Sequence, residues 1–187
     1  ELLERLTNSL KETPISDLKP VKTNKKEFDF FMYSDPHCGK VFNTADGRPK
    51  YSPEIYQERL DEFTQDIINS EKDHIIILFG GDAVEAYSIE MHSGQFHTSV
   101  AQGMDGADMV DLFCRSTIEM FYRIAKSGKT IEYHYTNGNH DRTTKSKKDD
   151  ALFVGAKQIS NSLRRVVDNS ELKDFVTIYE QKLGDNY

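Results

Sequence analysis

The sequence predicts an α/β fold in which helices alternate with the strands of a parallel sheet. Short β-prone apolar runs at residues 28–33, 74–79 and 131–135 alternate with segments whose apolar residues recur at helical spacing. Each run is followed at once by a short polar segment that contains glycine. Open α/β sheets bind their ligands at the carboxyl ends of their strands, so we expect the functional residues in these segments.

Composition narrows the classes of protein to which the chain can belong. Its 187 residues suffice for one domain with a core, or for most of a larger domain. The 31 acidic residues outnumber the 24 basic ones and give a net charge of −7, so nucleic acid would have to bind through a local patch or through metal ions. Two cysteines make no disulfide framework, and no apolar run approaches the ~20 residues that span a bilayer. We therefore expect a cytoplasmic protein (host cytoplasm if viral) without a membrane partner.

Residues 1–26 are predicted to form an N-terminal helix and linker ahead of the main domain, residues 27–187. Four leucines at helical spacing within residues 2–10 predict an amphipathic helix, and two prolines with the lysine-rich residues 22–26 predict a connector. The helix either docks on the domain or belongs to an upstream one. Because the chain begins at Glu1 and stops abruptly at Tyr187, we expect it to be an excerpt whose domain is incomplete at the C-terminus.

Three helices and a further strand complete the pattern. The first helix opens at Ser52 and Pro53, a good N-cap followed by a residue suited to the first helical position. The second lies between about residue 105 and Gly128. A third helix follows Asp149 or Asp150, and residues 175–179 predict another strand.

Asp35 and His37 follow the first strand in the segment Ser-Asp-Pro-His-Cys-Gly. Residues two apart on an extended segment can point to one side. An oxygen and a nitrogen ligand on one short loop suit a borderline divalent metal, whereas the alternative is an ordinary surface loop. This segment alone leaves both interpretations open.

Asp82 follows the second strand directly after Gly80 and Gly81. A lone buried carboxylate there is costly, so it requires a metal or another cation. Glu85, three residues later, either hydrogen-bonds within the site or faces solvent.

The third polar segment, Gly-Asn-His-Asp-Arg at residues 138–142, follows the last of the three strands. Asn139 offers a neutral oxygen ligand, and His140 a proton donor. Asp141 can orient a neighbouring group, and Arg142 supplies a fixed cation.

A basic cluster begins at the end of this segment, with four cations in residues 142–148. It is either a solvated loop or a site of phosphate attraction, and in the second case Arg142 and Lys145 would bind substrate. Residues 86–104 lack periodicity, and a loop of this length is usually functional or disordered. We interpret its two histidines as ordinary surface residues rather than ligands.

Together, the Asp-x-His, Gly-Asp and Gly-Asn-His-Asp motifs resemble the signature of the calcineurin-like metallophosphoesterase superfamily. The resemblance covers about residues 27–142, and its finer features are similar to phage-type or DNA-repair-exonuclease-like members. It implies a four-layer α/β/β/α sandwich, of which this chain would hold mostly the N-terminal part. It also implies hydrolysis of phosphoester bonds.

The resemblance implies two divalent metal ions, manganese first, with magnesium, iron or zinc as alternatives. Asp35 and His37 would bind the first ion, Asp82 would bridge both, and Asn139 would bind the second. His140 would not ligate.

His140 would instead contact the phosphate and protonate the leaving oxygen, and Asp141 would hold its ring. The family pattern also includes further ligand histidines after this motif, whereas no histidine follows His140 in this chain. Either the chain ends before them or the site is degenerate.

We therefore expect a metal-dependent phosphodiesterase that acts on DNA or RNA. The alternatives are a phosphomonoesterase or small-nucleotide phosphodiesterase, which the acidic net charge favours, and a non-catalytic scaffold, which the missing histidines favour. A homodimer stays open as a partner.

Overall fold

A four-stranded parallel sheet with helices packed on one face forms the body of the chain. The computed structural model describes residues 19–20, 27–86, 99–101, 103–143 and 154–180. In chain order the elements are β1 Asp29–Tyr33, β2 Lys40–Asn43, β3 Pro49–Tyr51, α1 Pro53–Asn69, β4 His74–Phe79, β5 Ser99–Val100, α2 Gly106–Lys126, β6 Thr130–Tyr135, α3 Val154–Asp168, a short 3-10 helix at Glu171–Asp174, and β7 Val176–Glu180. The strand order of the main sheet is β1-β4-β6-β7, and a smaller antiparallel sheet has the order β3-β2-β5.

The three strands that precede the polar segments end in register. Tyr33 pairs with Phe79, and Phe79 pairs with Tyr135, as the last residues of β1, β4 and β6. The pairing continues one step further, since the Gly80 amide donates to the Tyr33 carbonyl (2.9 Å) and the Thr136 amide to the Phe79 carbonyl (3.1 Å). The three polar segments therefore leave the sheet side by side, and the predicted parallel α/β arrangement is confirmed.

Aromatic rings fill the core directly beneath this edge. The fully buried Phe79 ring lies 5.0 Å from Tyr33, 4.9 Å from Tyr135 and 5.1 Å from Phe113 of α2, measured between centroids. The Tyr33 and Tyr133 hydroxyls hydrogen-bond at 2.9 Å, which satisfies two polar atoms inside the apolar layer. The floor of the edge is therefore a close-packed aromatic cluster.

The helix starts follow the chemistry expected of them. The Ser52 side chain accepts a hydrogen bond from the Ile55 amide, and Pro53 opens α1. Asp105 caps α2 in a capping box with Asp108. The expected cap of α3, Asp149 or Asp150, lies outside the described residues.

Cys114 shares one face of α2 with apolar residues at helical spacing, which predicts a core position, and it packs against the core. Burial raises the pKa of its thiol to about 12, so the side chain stays protonated and acts as a small hydrophobic group.

The nearly continuous apolarity of residues 28–33 predicts a strand buried on both faces, and this prediction is wrong. Its side chains alternate, with Phe31 and Tyr33 packed against Phe63 of α1, whereas Phe30 is 56% and Met32 61% exposed. β1 is an edge strand of the described sheet, and no described element covers that face. The continuous apolar sequence of β1 therefore did not mean that the described residues bury both of its faces.

The turn-forming residues Asn43, Asp46, Gly47 and Pro49 predict a surface loop at residues 41–51, but this segment contains strands of the small sheet. β2 pairs with β3 in a hairpin and with β5 on its other side. β2 and β3 are only four and three residues long, and their sequences lack the alternation of apolar and polar residues by which strands are predicted. Most of the predicted loop at 86–104, including both its histidines, lies outside the described residues, as do the N-terminal leucines.

Among the described helices, none is both long and apolar enough to cross a membrane.

Replacing Phe79 with alanine tests the aromatic floor. We expect Phe79→Ala to lower the free energy of unfolding by about 3–5 kcal/mol, because it leaves a cavity amid the rings around it. Phe42→Ala is the matched control, since Phe42 is 52% exposed, and it should change stability little. Chemical denaturation measures both, and equal losses would contradict this account of the core.

Candidate metal centre

The first two polar segments are joined along their backbones. The Asp35 amide donates to the Gly81 carbonyl (3.1 Å), and the His37 amide donates to the Asp82 carbonyl (3.0 Å). Cys38 and Val84 extend this as a parallel bridge. The pairing of β1 with β4 thus continues past the ends of the strands, and it places Asp35 and His37 beside Asp82.

The third segment approaches so closely that only glycine fits. A Cβ atom on Gly138 would lie 1.9 Å from the Asp82 amide nitrogen and 2.1 Å from Asp82 Oδ1. A Cβ atom on Gly81 would lie 2.7 Å from the Gly138 Cα atom. This contact allows the His140 amide to donate to Asp82 Oδ1 at 2.7 Å. The glycines of the two motifs therefore let their backbones touch.

Backbone strain is concentrated at the predicted ligands. Asp35, His37 and Asp82 have φ angles of 55°, 41° and 56°, and they are the non-glycine residues with positive φ within the described part of the chain. Each such conformation costs about 1–3 kcal/mol, and strained residues of this kind cluster at functional sites. The three strained backbone conformations therefore occur at the residues whose side chains are predicted to bind metal.

The side chains themselves form a compact donor cluster. His37 Nε2 lies 3.8 Å from Asp35 Oδ1 and 4.0 Å from Asp82 Oδ2. Ligand atoms of His37, Asp82 and His140 all lie within 4.8 Å of one another. The two imidazole rings are nearly perpendicular, with centroids 4.5 Å apart.

This donor set fits a divalent cation. Ligand atoms that each lie about 2.1 Å from one ion are at most about 4.2 Å apart, so small side-chain movements would close a shell around it. Mixed imidazole and carboxylate donors suit manganese, iron or zinc. The cluster can supply three ligand atoms to one ion. It differs from the expected ligand set because it includes His140.

The remaining predicted site residues occupy the rim. Asn139 is exposed, and its backbone carbonyl accepts a hydrogen bond from Arg142 Nε at 2.6 Å. Arg142 thus holds the turn that presents Asn139 and His140. Lys145 lies outside the described residues.

The expectation that Asp141 holds the His140 ring is wrong. The fully buried Asp141 carboxylate accepts from the Val84 amide (3.3 Å) and from the Gly138 amide (3.1 Å). Burial raises the pKa of Asp141 to about 6, although these backbone donors oppose the shift. Asp141 therefore ties the second and third segments together from inside the protein.

Glu85 provides the ring contact that was assigned to Asp141. Its backbone carbonyl lies 2.8 Å from His140 Nδ1, and its carboxylate Oε2 lies 2.9 Å from His37 Nδ1. Sequence reasoning left Glu85 undecided between site and solvent. Its only sequence signal is a single acid among the small apolar residues 83–86.

Replacing Gly138 with alanine tests the close approach of the loops. We expect Gly138→Ala to abolish divalent-metal binding, because its Cβ would displace the Asp82 backbone. Gly47→Ala is the control, since Gly47 has a positive φ of 83° but open space around its Cβ position, and it should cost only about 1 kcal/mol of stability. Calorimetric titration with Mn²⁺ measures binding. Unchanged binding by Gly138→Ala would show that the loops do not need this contact.

No protein-family model, no curated protein and no solved structure matches this chain.

Proposed function

We propose that this chain is a metal-dependent phosphoesterase that hydrolyses phosphodiester bonds in DNA or RNA. One observation carries the proposal: Asp35 and His37, Asp82, and His140 come from three separate segments and meet at one edge of the sheet. The same three segments carry the resemblance to the calcineurin-like metallophosphoesterases. Physical convergence is what that resemblance requires of them.

The face of the sheet that no described element covers supports the finer fold, a four-layer α/β/β/α sandwich. Phe30 and Met32 on β1 are exposed there, and Ile76 and Leu78 on β4 are only partly buried. A second sheet packed on this face would bury that apolar row. The described helices and main sheet would then be one α/β half of the sandwich.

Divalent ions, manganese first, with magnesium, iron or zinc as alternatives, would supply a hydroxide nucleophile and neutralise charge on the phosphoryl oxygens. Asp35, His37 and Asp82 would hold the first ion. Asp82 would be shared with a second ion, to which the exposed Asn139 would contribute its side-chain oxygen. The second ion would need further ligands besides Asp82 and Asn139, and no histidine follows His140 in the sequence to provide one.

His140 is the residue proposed to protonate the leaving oxygen. A carbonyl oxygen only accepts hydrogen bonds, so the contact with Glu85 keeps a proton on Nδ1 of His140. When the ring is the doubly protonated imidazolium, Nε2 is then the atom that can deliver a proton to the leaving oxygen. Arg142 uses one N–H on the Asn139 carbonyl and retains others for a phosphate.

The openness of the edge favours a polymeric substrate. The Asp35 side chain is 61% exposed, and Asn139 is exposed at the same rim. A strand of nucleic acid can lie across such a rim, whereas a small phosphomonoester gains most from an enclosing pocket. The missing histidines favour the scaffold alternative, and the net charge of −7 favours the small-substrate alternative.

Hydrolysis assays with Mn²⁺ test the proposal on three substrates: bis-p-nitrophenyl phosphate, p-nitrophenyl phosphate and single-stranded DNA. We expect cleavage of the diester and of DNA. Asp82→Asn should lose both metal binding and activity, because it removes the shared charge. His140→Ala should lower kcat by about 10²–10⁴-fold, because it removes the proton donor.

His134→Ala is the matched histidine control, since His134 stacks on Tyr179 outside the cluster and should leave kcat unchanged. Cleavage of the monoester alone would support the small-substrate alternative. If the wild type binds no metal and hydrolyses none of these substrates, the result would support the scaffold alternative.

A further inference from the structure

Glu85 contacts His37 on the side of the ring that faces away from the other ligands. Its Oε2 lies 2.9 Å from His37 Nδ1, an ion-pair distance at which the two atoms lack the angles of a hydrogen bond, whereas His37 Nε2 faces the Asp35 and Asp82 carboxylates at 3.8 and 4.0 Å. The two ring nitrogens of His37 thus have separate partners. A carboxylate behind a ligand histidine fixes which nitrogen carries the proton and raises the basicity of the other.

The backbone of Glu85 contacts the second imidazole, that of His140. The Glu85 carbonyl accepts from His140 Nδ1 at 2.8 Å, and the Glu85 amide donates to the Cys38 carbonyl at 3.0 Å. Glu85 is therefore anchored to the first polar segment while it contacts the third. One residue orients both rings of the cluster.

The burial of Glu85 argues against an incidental contact. The side chain is fully buried, and a buried carboxylate is costly unless cations compensate it. Lys40 Nζ lies 3.5 Å from the same oxygen, with its own side chain 30% exposed. Lys40 partly offsets the charge, and the same carboxylate oxygen lies beside His37.

We propose that Glu85 is a positioning residue of the metal centre. A small rotation of its carboxylate would complete a hydrogen bond that holds a proton on Nδ1 of His37, and its carbonyl holds one on Nδ1 of His140, so that Nε2 of both rings is directed towards the bound ion or substrate. This inference rests on the proposed metal-dependent function, but it concerns an arrangement that exists before metal binds.

The tautomer of His37 in the metal-free protein is the direct test. Two-bond ¹H–¹⁵N correlation spectra of ¹⁵N-histidine-labelled wild type distinguish the two neutral tautomers, and they should show the proton on Nδ1 of His37. Glu85→Leu should lose this preference, and Glu85→Gln should retain it, because its amide oxygen still accepts. A wild-type His37 with its proton on Nε2 would overturn the inference, and this readout needs no variant to fold.

Metal affinity provides the second test. Calorimetric titration with Mn²⁺ should show a Kd raised about 10–100-fold in Glu85→Leu, and raised less in Glu85→Gln. Glu132→Gln is the matched control, because Glu132 pairs with His74 at 3.4 Å outside the cluster, and it should keep the wild-type Kd. Circular dichroism establishes that each variant is folded.

The outcomes separate the two proposals. A wild type that binds no Mn²⁺ contradicts the metal-dependent function. A wild type that binds, together with a folded Glu85→Leu that binds equally well, contradicts only the role of Glu85.

Discussion

Asp82 is the residue on which the arrangement of the site depends. Its carbonyl accepts from the His37 amide, its Oδ1 accepts from the His140 amide, and its Oδ2 lies 4.0 Å from His37 Nε2. The absence of a side chain on Gly138 is what lets the third segment reach it. One carboxylate residue therefore holds three chain segments in contact, and a change in its backbone would move every candidate ligand.

This arrangement is costly, and the rest of the domain offsets the cost. Three residues with positive φ together store several kcal/mol of strain, at about 1–3 kcal/mol each, and Asp141 and Glu85 are both fully buried acids. The aromatic floor around Phe79 provides the rigid packing that such strain requires. Strained backbone and buried acids at the carboxyl edge of a sheet are typical of residues that are retained for function.

Strand ends and polar motifs were predictable from the sequence because both depend on local pattern. Three apolar runs, each followed by glycine and ligand-type residues, indicated that Asp35, His37, Asp82 and His140 would share one edge. The exposed face of β1 was not predictable, because apolarity does not say which element covers a face. The roles of Asp141 and Glu85 were not predictable either, since each depends on contacts between residues more than 45 positions apart.

Anomalous X-ray scattering from crystals soaked in Mn²⁺ tests the central claim most directly. If the three segments form a metal centre, the anomalous map will contain a peak about 2.0–2.3 Å from His37 Nε2 and from the Asp82 carboxylate. If the crystals are soaked at Mn²⁺ concentrations that saturate typical protein manganese sites, a map without a peak at this edge of the sheet would contradict the account.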